Sequence, residues 1–274
     1  MTAAVAHRSG ANTLNGILRA HPVASALLSF AAFEAVHATM AWNGGRLLDA
    51  ITGSAPASWR GPILWGLYAA LALLPVAALG WWRATGLTRR GRARAWPLVV
   101  IPLAAGLPFL ALGLHLPRSQ VVPILLAGTP LIALNEEIFF RGLLLELLRP
   151  TGWRRAVITT SVLFGAAHAL NLVAGANLPF TALQVAATTA GGVTLAAIRI
   201  RSGSLWPVIV VHALLDAVAL STLTGAGIAS PILVPVVLAW GAANLALWPI
   251  GWRLLRCRGE TELTAAYDGV PSAA

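Results

Sequence analysis

Three short patterns place ionisable side chains inside strongly apolar stretches of this chain. They read E-E-x-x-x-R at residues 136–141, F-x-x-x-H at 164–168 and H-x-x-x-D at 212–216. Histidine, glutamate and aspartate are the side chains that most often transfer protons in enzymes. A charged side chain at the centre of a bilayer costs about 2.5–3.5 kcal/mol on insertion scales, so its presence there indicates a functional role. The three patterns therefore predict acid–base chemistry within an apolar bundle.

Spacing within the patterns predicts how these groups pair. Glu137 and Arg141 are four residues apart with the acid first, which is the favourable order for an ion pair along a helix. That pair can act simply as a structural brace. Glu136 points about 100° away around the same helix, so it is left to face other helices. His212 and Asp216 are also four apart, and a carboxylate beside an imidazole fixes the tautomer of the ring.

The elements that must position these groups are membrane helices. The chain is 58% hydrophobic and only 10% charged, with a mean hydropathy of +0.77, whereas a soluble domain has about 25% charged residues. A bilayer core about 30 Å thick needs roughly 20 apolar residues per helix. The runs are continuous and lack the alternation of barrel strands. The sequence predicts an all-α polytopic membrane helix bundle of about eight transmembrane helices, at 22–42, 61–82, 96–116, 120–148, 155–174, 180–198, 204–224 and 229–252.

The candidate residues share a depth in the predicted membrane. Counted from the cytoplasmic ends of their spans, Glu136, His168, His212 and Asp216 lie roughly 12–20 Å deep at 1.5 Å per residue. Each group alone would lack a partner in hydrocarbon, so a common depth predicts one cluster formed by three helices. The Gly-Ala-Ala sequence at 165–167 is small enough to let two helices approach closely.

The net charge of +10 would suggest a nucleic-acid partner for a soluble protein, but here its distribution indicates membrane topology. Every basic residue is an arginine, and fifteen of the nineteen fall on one side of the predicted spans, against three on the other. Arg141 is left inside a span. Because cytoplasmic loops carry the excess of arginine, we expect a multi-pass protein of the cell membrane with both termini cytoplasmic and no nucleic-acid partner.

The predicted organisation is a single domain. Residues 1–21 form a cytoplasmic N-terminal segment, and 22–258 form one transmembrane helical domain whose motif-bearing core is 120–224. Residues 259–274 are polar and predicted to be a disordered cytoplasmic tail. Cys257 is the single cysteine, which excludes an intrachain disulfide and a cysteine-based metal site.

The order and spacing of the three patterns resemble those of the CPBP family of intramembrane endopeptidases, which comprises CAAX proteases and bacteriocin-processing proteins. The resemblance covers roughly 120–224. It implies a helical membrane peptidase that acts on a membrane-associated or lipidated peptide or protein within the lipid bilayer. By position, Glu136 and His168 match the pair that activates water. His212 and Asp216 match the pair that holds the substrate carbonyl or its oxyanion, although the family often has asparagine at the second position. By the same matching, the residues that support the site are Glu137, Arg141 and Phe164.

Two other functions are compatible with the same residues. A zinc-dependent form of the protease would use Glu136, His168, His212 and Asp216 as ligands, because two histidines and a carboxylate match catalytic zinc. We favour chemistry without a cofactor, since no H-E-x-x-H motif is present. A proton-coupled transporter also needs intramembrane acids and histidines, but the patterns do not recur in the other half of the chain, as repeated transporter halves would require.

A further acid and histidine occur in the first predicted span. Glu34 and His37 form E-x-x-H at a depth similar to that of the other candidates. A di-iron site needs this motif on two helices together with further glutamates, and only one copy exists. We interpret the pair as a non-catalytic polar contact or a gate near the cavity.

Overall fold

The computed structural model describes residues 13–53, 55–223, 231–256 and 259–268. Nearly all of these residues are helical, and none of them forms a β-strand, so the predicted all-α class is confirmed. Most of the predicted N-terminal segment and Cys257 lie outside the described residues. A helical stretch at 13–20 is followed by α1 (Pro22–Thr52), α2 (Ala57–Leu79), α3 (Ala93–Ala104), α4 (Arg118–Thr151), α5 (Trp153–Ala167), α6 (Leu178–Ser202), α7 (Trp206–Leu223), α8 (Leu233–Arg256) and α9 (Glu260–Asp268).

Six helices among the described residues are long and apolar enough to cross a bilayer, namely α1, α2, α4, α6, α7 and α8. The predicted span 96–116 is instead two short helices, because Gly106 and Pro108 interrupt it. The predicted span 155–174 is α5, 15 residues long, followed by a 3₁₀ turn from His168 to Leu172. The polytopic bundle is confirmed, whereas the count of eight continuous spans exceeds what the helix lengths support.

The central helix of the bundle is α4, which packs against α2 and α7. Its first half is partly exposed, but it is buried from Glu137 to Leu148. A π-helical segment, Ile138–Leu144, begins directly after the two glutamates and contains Arg141. Such wider turns occur most often at functional sites. The most polar stretch of α4 therefore lies at the start of its buried part.

A glycine contact fixes the position of α5 against α6. A Cβ atom on Gly165 would lie 1.9 Å from Thr189 Oγ1 and 2.6 Å from the Val185 carbonyl oxygen. No larger side chain fits at this distance, so the predicted close helix approach is confirmed. The contact holds the end of α5, and with it His168, beside α6.

The polar tail differs from the sequence expectation. Residues 260–268 form a helix, α9, whose Leu263, Ala266 and Tyr267 are buried against the bundle. These three positions follow the i, i+3, i+4 spacing of one helix face, a signal that the polar composition of the segment concealed. Its last residue, Asp268, accepts two hydrogen bonds from Arg149, at 2.9 and 2.5 Å. The helix is therefore part of the folded domain.

Tyr267 anchors α9. Its ring is fully buried, its hydroxyl donates to the Ala84 carbonyl oxygen at 3.0 Å, and the Arg199 guanidinium lies 4.1 Å from the ring centroid. Burial raises the pKa of the Tyr267 phenol, so the hydroxyl stays protonated and donates across the physiological pH range.

We expect Tyr267→Ala to lower the free energy of unfolding by about 3–5 kcal/mol, the usual cost of removing a buried aromatic ring. Tyr267→Phe, which loses only the hydroxyl bond, should cost about 1 kcal/mol. Thermal unfolding of the detergent-solubilised protein measures both. Unfolding midpoints equal to wild type in both variants would show that α9 is not docked.

Candidate functional site

His212 on α7 is the centre of the polar cluster. Its Nδ1 lies 2.7 Å from Oε1 of Glu137, and a carboxylate can only accept, so this nitrogen carries a proton. Its Nε2 lies 3.6 Å from Oε2 of Glu136 and 3.7 Å from Oδ2 of Asp216. One imidazole therefore faces three carboxyl groups. Three of the four residues predicted to be catalytic meet here.

Glu137 connects this histidine to the predicted ion pair. The Arg141 guanidinium lies 3.0 Å from the same Oε1 atom that contacts His212, and both partners of the ion pair are at most 1% exposed. The spacing of the two residues predicted this pair correctly. The contact between Glu137 and His212 was not predicted, because the residues are 75 positions apart. Glu137 therefore holds the His212 ring, a role that the spacing had suggested for Asp216.

His168 is positioned by the last turn of α5. Its Nδ1 lies 2.9 Å from the Phe164 carbonyl oxygen. A carbonyl oxygen only accepts, so the Nδ1 proton makes this bond and Nε2 keeps its lone pair in the neutral ring. An imidazole held in this tautomer can accept a proton or a hydrogen bond at Nε2.

The Phe164 ring separates the two histidines. The Phe164 ring makes edge-to-face contacts with both imidazole rings. Its centroid lies 5.0 Å from that of His168 and 6.0 Å from that of His212. The Arg141 guanidinium lies 3.9 Å from the Phe164 centroid, close enough for a cation–π contact. Of the predicted supporting residues, Glu137 and Phe164 thus contact the histidines directly, and Arg141 contacts both of these residues.

Two neighbouring cavities are both bordered by Phe164. The first, of about 270 Å³, is lined by Glu136 and His168. The second, of about 160 Å³, is lined by His168, His212 and Asp216. Phe164 and His168 border both cavities. The four candidate residues are therefore distributed around two adjacent cavities, and His168 borders both.

Glu34 and His37 of α1 complete the wall of the first cavity. Oε1 of Glu34 is buried without a hydrogen-bond partner among the described residues. Nε2 of His37 lies 3.4 Å from Nδ2 of Asn135, the residue before Glu136, and its ring stacks on Tyr68 at 4.2 Å. Asn135 is a contact that the sequence analysis missed, although an asparagine at the start of the polar run was a visible signal. The E-x-x-H pair therefore lies in the wall of the first cavity.

The four candidate residues are of the types that bind zinc. Among the described residues, no group of three or more histidine, cysteine, aspartate or glutamate side chains is arranged to hold a metal ion. Glu136 and Asp216 approach a single nitrogen of His212, while Nδ1 of His168 is bonded to the Phe164 carbonyl oxygen. The mechanism proposed below uses protein groups alone.

A comparison with protein families matches residues 118–218 to the family described as "Type II CAAX prenyl endopeptidase Rce1-like". The matched segment runs from the start of α4 into α7 and contains all four candidate catalytic residues with their supports. No curated protein and no solved structure gives a significant match to the chain. The members of this family are membrane proteases, in agreement with the apolar helices and the buried polar cluster. Residues 118–218 of this chain therefore match a CAAX protease family, in agreement with the resemblance that the three sequence patterns predicted.

Proposed function

We propose that this protein hydrolyses a peptide bond of a membrane-associated or lipidated peptide or protein, with water activated by Glu136 and His168. The observation that supports the proposal is the arrangement of Glu136, His168, His212 and Asp216 around two adjacent cavities within the bundle. The proposal places the protein in the cell membrane with both termini cytoplasmic, because arginine dominates the loops on that side.

The first step takes place in the cavity that Glu136 and His168 share. A water molecule there donates one hydrogen bond to the Glu136 carboxylate and one to Nε2 of His168. Glu136 accepts the proton as the water oxygen attacks the carbonyl carbon of the substrate. A base in hydrogen-bond contact with its water contributes typically 10²–10⁴-fold to such a reaction.

The second step stabilises the negative charge on the carbonyl oxygen. His212 carries a proton on Nδ1 toward Glu137, and protonation of Nε2 makes it a donor between Glu136 and Asp216. This N–H, with a neutral Asp216 carboxyl, donates to the oxyanion. Donors positioned in advance are among the largest contributions to catalysis of this type.

The last step breaks the C–N bond. Glu136 returns its proton to the departing nitrogen, so the products are a carboxylic acid and an amine and no oxidant or cofactor is consumed. Phe140 and Phe164 contribute apolar walls to the first cavity. Exclusion of water strengthens the electrostatic contribution of each polar group.

Asp216 lies at a position where the family often has asparagine. This difference gives a test of the oxyanion step. Oδ2 of Asp216 is buried and makes no hydrogen bond to the described residues, so it is available to the substrate. We expect Asp216→Asn to retain activity, because the amide donates permanently and has nearly the same volume. Its activity should extend to higher pH than that of wild type, since an amide does not ionise. Rates of peptide cleavage across pH measure this.

A second variant and a chelator treatment complete this test. Asp216→Ala removes the donor and should lose roughly 10²–10³-fold in rate. Wild type treated with a chelator tests the zinc-dependent alternative, in which asparagine would be a poorer ligand than carboxylate. An inactive Asp216→Asn variant together with chelator-sensitive wild type would overturn the metal-free mechanism.

A further inference from the structure

The loop between α2 and α3 carries four arginines, Arg83, Arg89, Arg90 and Arg92. Its backbone is hydrogen-bonded to the turn between α6 and α7. The Arg92 amide donates to the Ser202 carbonyl oxygen at 2.9 Å, and the Ser204 hydroxyl donates to the Arg89 carbonyl oxygen at 2.6 Å. The loop is thus held in one conformation by the fold.

Two glycines give the loop its shape. Gly86 and Gly91 have φ values of 85° and 76°, in the left-handed region that side chains with a Cβ atom rarely adopt. A Cβ atom on Gly91 would lie 2.6 Å from Cβ of Ser204. The chain therefore reverses closely against the α6–α7 turn, and this reversal brings the arginines of the loop together.

These arginines line two neighbouring cavities outside the catalytic site. One, of about 280 Å³, is bordered by Arg83, Arg89, Arg90 and Arg92. The other, of about 150 Å³, shares Arg92 and adds Arg94 and Arg201. We call these six residues the arginine cluster. Asp268 is the one acid among the described residues that border either cavity, and it is already bonded to Arg149. The cluster therefore has a large excess of positive charge.

Two tryptophans indicate the depth of the arginine cluster. Trp82 lies in the loop, directly before Arg83, and is 41% exposed, and Trp206 is 44% exposed. The Trp206 indole donates to the Leu87 carbonyl oxygen at 2.9 Å, so its ring lies directly against the loop. Exposed tryptophans of membrane proteins are enriched at the level of the lipid headgroups. The cluster thus lies where a phosphate of the bilayer is within reach.

We propose that the arginine cluster is a binding site for the phosphate group of an anionic phospholipid. The planar guanidinium group matches the geometry of phosphate oxygens, and basic pockets at the cytoplasmic ends of membrane helices recognise anionic headgroups. The interfacial tryptophans favour a lipid over free phosphate as the source of the oxyanion. This site is independent of the peptidase activity.

A bound headgroup would also stabilise the C-terminal helix. Arg89 donates to the Tyr267 carbonyl oxygen, and Arg92 donates to the Ala265 carbonyl oxygen at 3.2 Å. Two members of the arginine cluster therefore contact α9 directly. Ligand binding to the folded state raises its stability, so lipid binding is measurable as a rise in the unfolding midpoint.

The test uses the full chain in neutral detergent, titrated with phosphatidylglycerol, phosphatidylcholine or inorganic phosphate. The variant Arg83→Gln/Arg90→Gln removes two exposed arginines that make no hydrogen bond to the described residues. Arg154→Gln/Arg155→Gln is the matched control, because these arginines are also exposed but do not border the cavities. Native mass spectrometry counts bound lipid, and thermal unfolding reports stability.

We expect wild type and the Arg154/Arg155 control to bind phosphatidylglycerol in preference to phosphatidylcholine, with a rise in unfolding midpoint. The Arg83/Arg90 variant should bind about tenfold more weakly, with an unchanged midpoint in the absence of lipid. Arg83→Lys/Arg90→Lys, which keeps the charge, should recover part of the binding. Equal loss in both glutamine pairs, or equal binding of the two lipids, would overturn the site. Equal stabilisation by inorganic phosphate would overturn the lipid as its ligand.

Discussion

Glu136→Gln is expected to lower the rate of peptide hydrolysis by roughly 10²–10⁴-fold and leave a folded protein in the membrane. Glutamine has nearly the same shape as glutamate but cannot accept the proton of the attacking water. Oε2 of Glu136 makes no hydrogen bond to the described residues, and its nearest charged partner, His212 Nε2, is 3.6 Å away. The substitution therefore removes the base without breaking a close structural contact.

The matched control is Glu34→Gln. Glu34 borders the same cavity from α1, but no contact joins it to His212, and we interpret it as a polar contact outside the chemistry. Cleavage of a peptide in detergent should persist in Glu34→Gln and disappear in Glu136→Gln, with similar unfolding midpoints. This experiment also addresses the proton-coupled transporter, which would cleave no peptide.

Two outcomes would contradict the role of Glu136. Equal losses in Glu34→Gln and Glu136→Gln would show that the cavity needs both carboxyl groups. Undiminished cleavage by Glu136→Gln would remove Glu136 from the mechanism altogether.

Glu137→Gln is expected to have its main effect on stability. Its Oε1 atom contacts both Arg141, at 3.0 Å, and His212, at 2.7 Å. Replacing the carboxylate leaves the Arg141 guanidinium, which is 1% exposed, without an opposite charge. Breaking a buried ion pair in this way costs about 3–5 kcal/mol. Thermal or denaturant unfolding in detergent should show the loss as a large fall in midpoint.

A double-mutant cycle separates the ion pair from the contact with His212. Arg141→Met leaves Glu137 bonded to His212 and keeps much of the side-chain volume. The double variant Glu137→Gln/Arg141→Met buries no unpaired charge, so it should be more stable than the sum of the two single effects predicts. Strict additivity would show that the two residues do not act as a pair. Glu137→Gln with an unchanged midpoint but no activity would reassign Glu137 to catalysis.

The sequence by itself determined the features that depend on neighbouring residues. Long apolar runs predict membrane helices because each helix satisfies its own backbone hydrogen bonds. The four-residue spacing of Glu137 and Arg141 predicts their ion pair, since residues four apart share a helix face. The close approach of α5 followed from the small residues beside Gly165. The family, too, was identified from three local patterns.

Tertiary structure alone decided which faces of these helices meet. The bond between Glu137 and His212 joins residues 75 positions apart, and it depends on the rotation of α4 and α7 about their axes. The division of the candidate residues between two cavities depends on where the Phe164 ring packs. The docking of α9 through Tyr267 depends on a partner surface formed by the α2–α3 loop, α5 and α6. Helix rotation and docking follow from packing over the whole bundle, and spacing along a single helix carries no information about them.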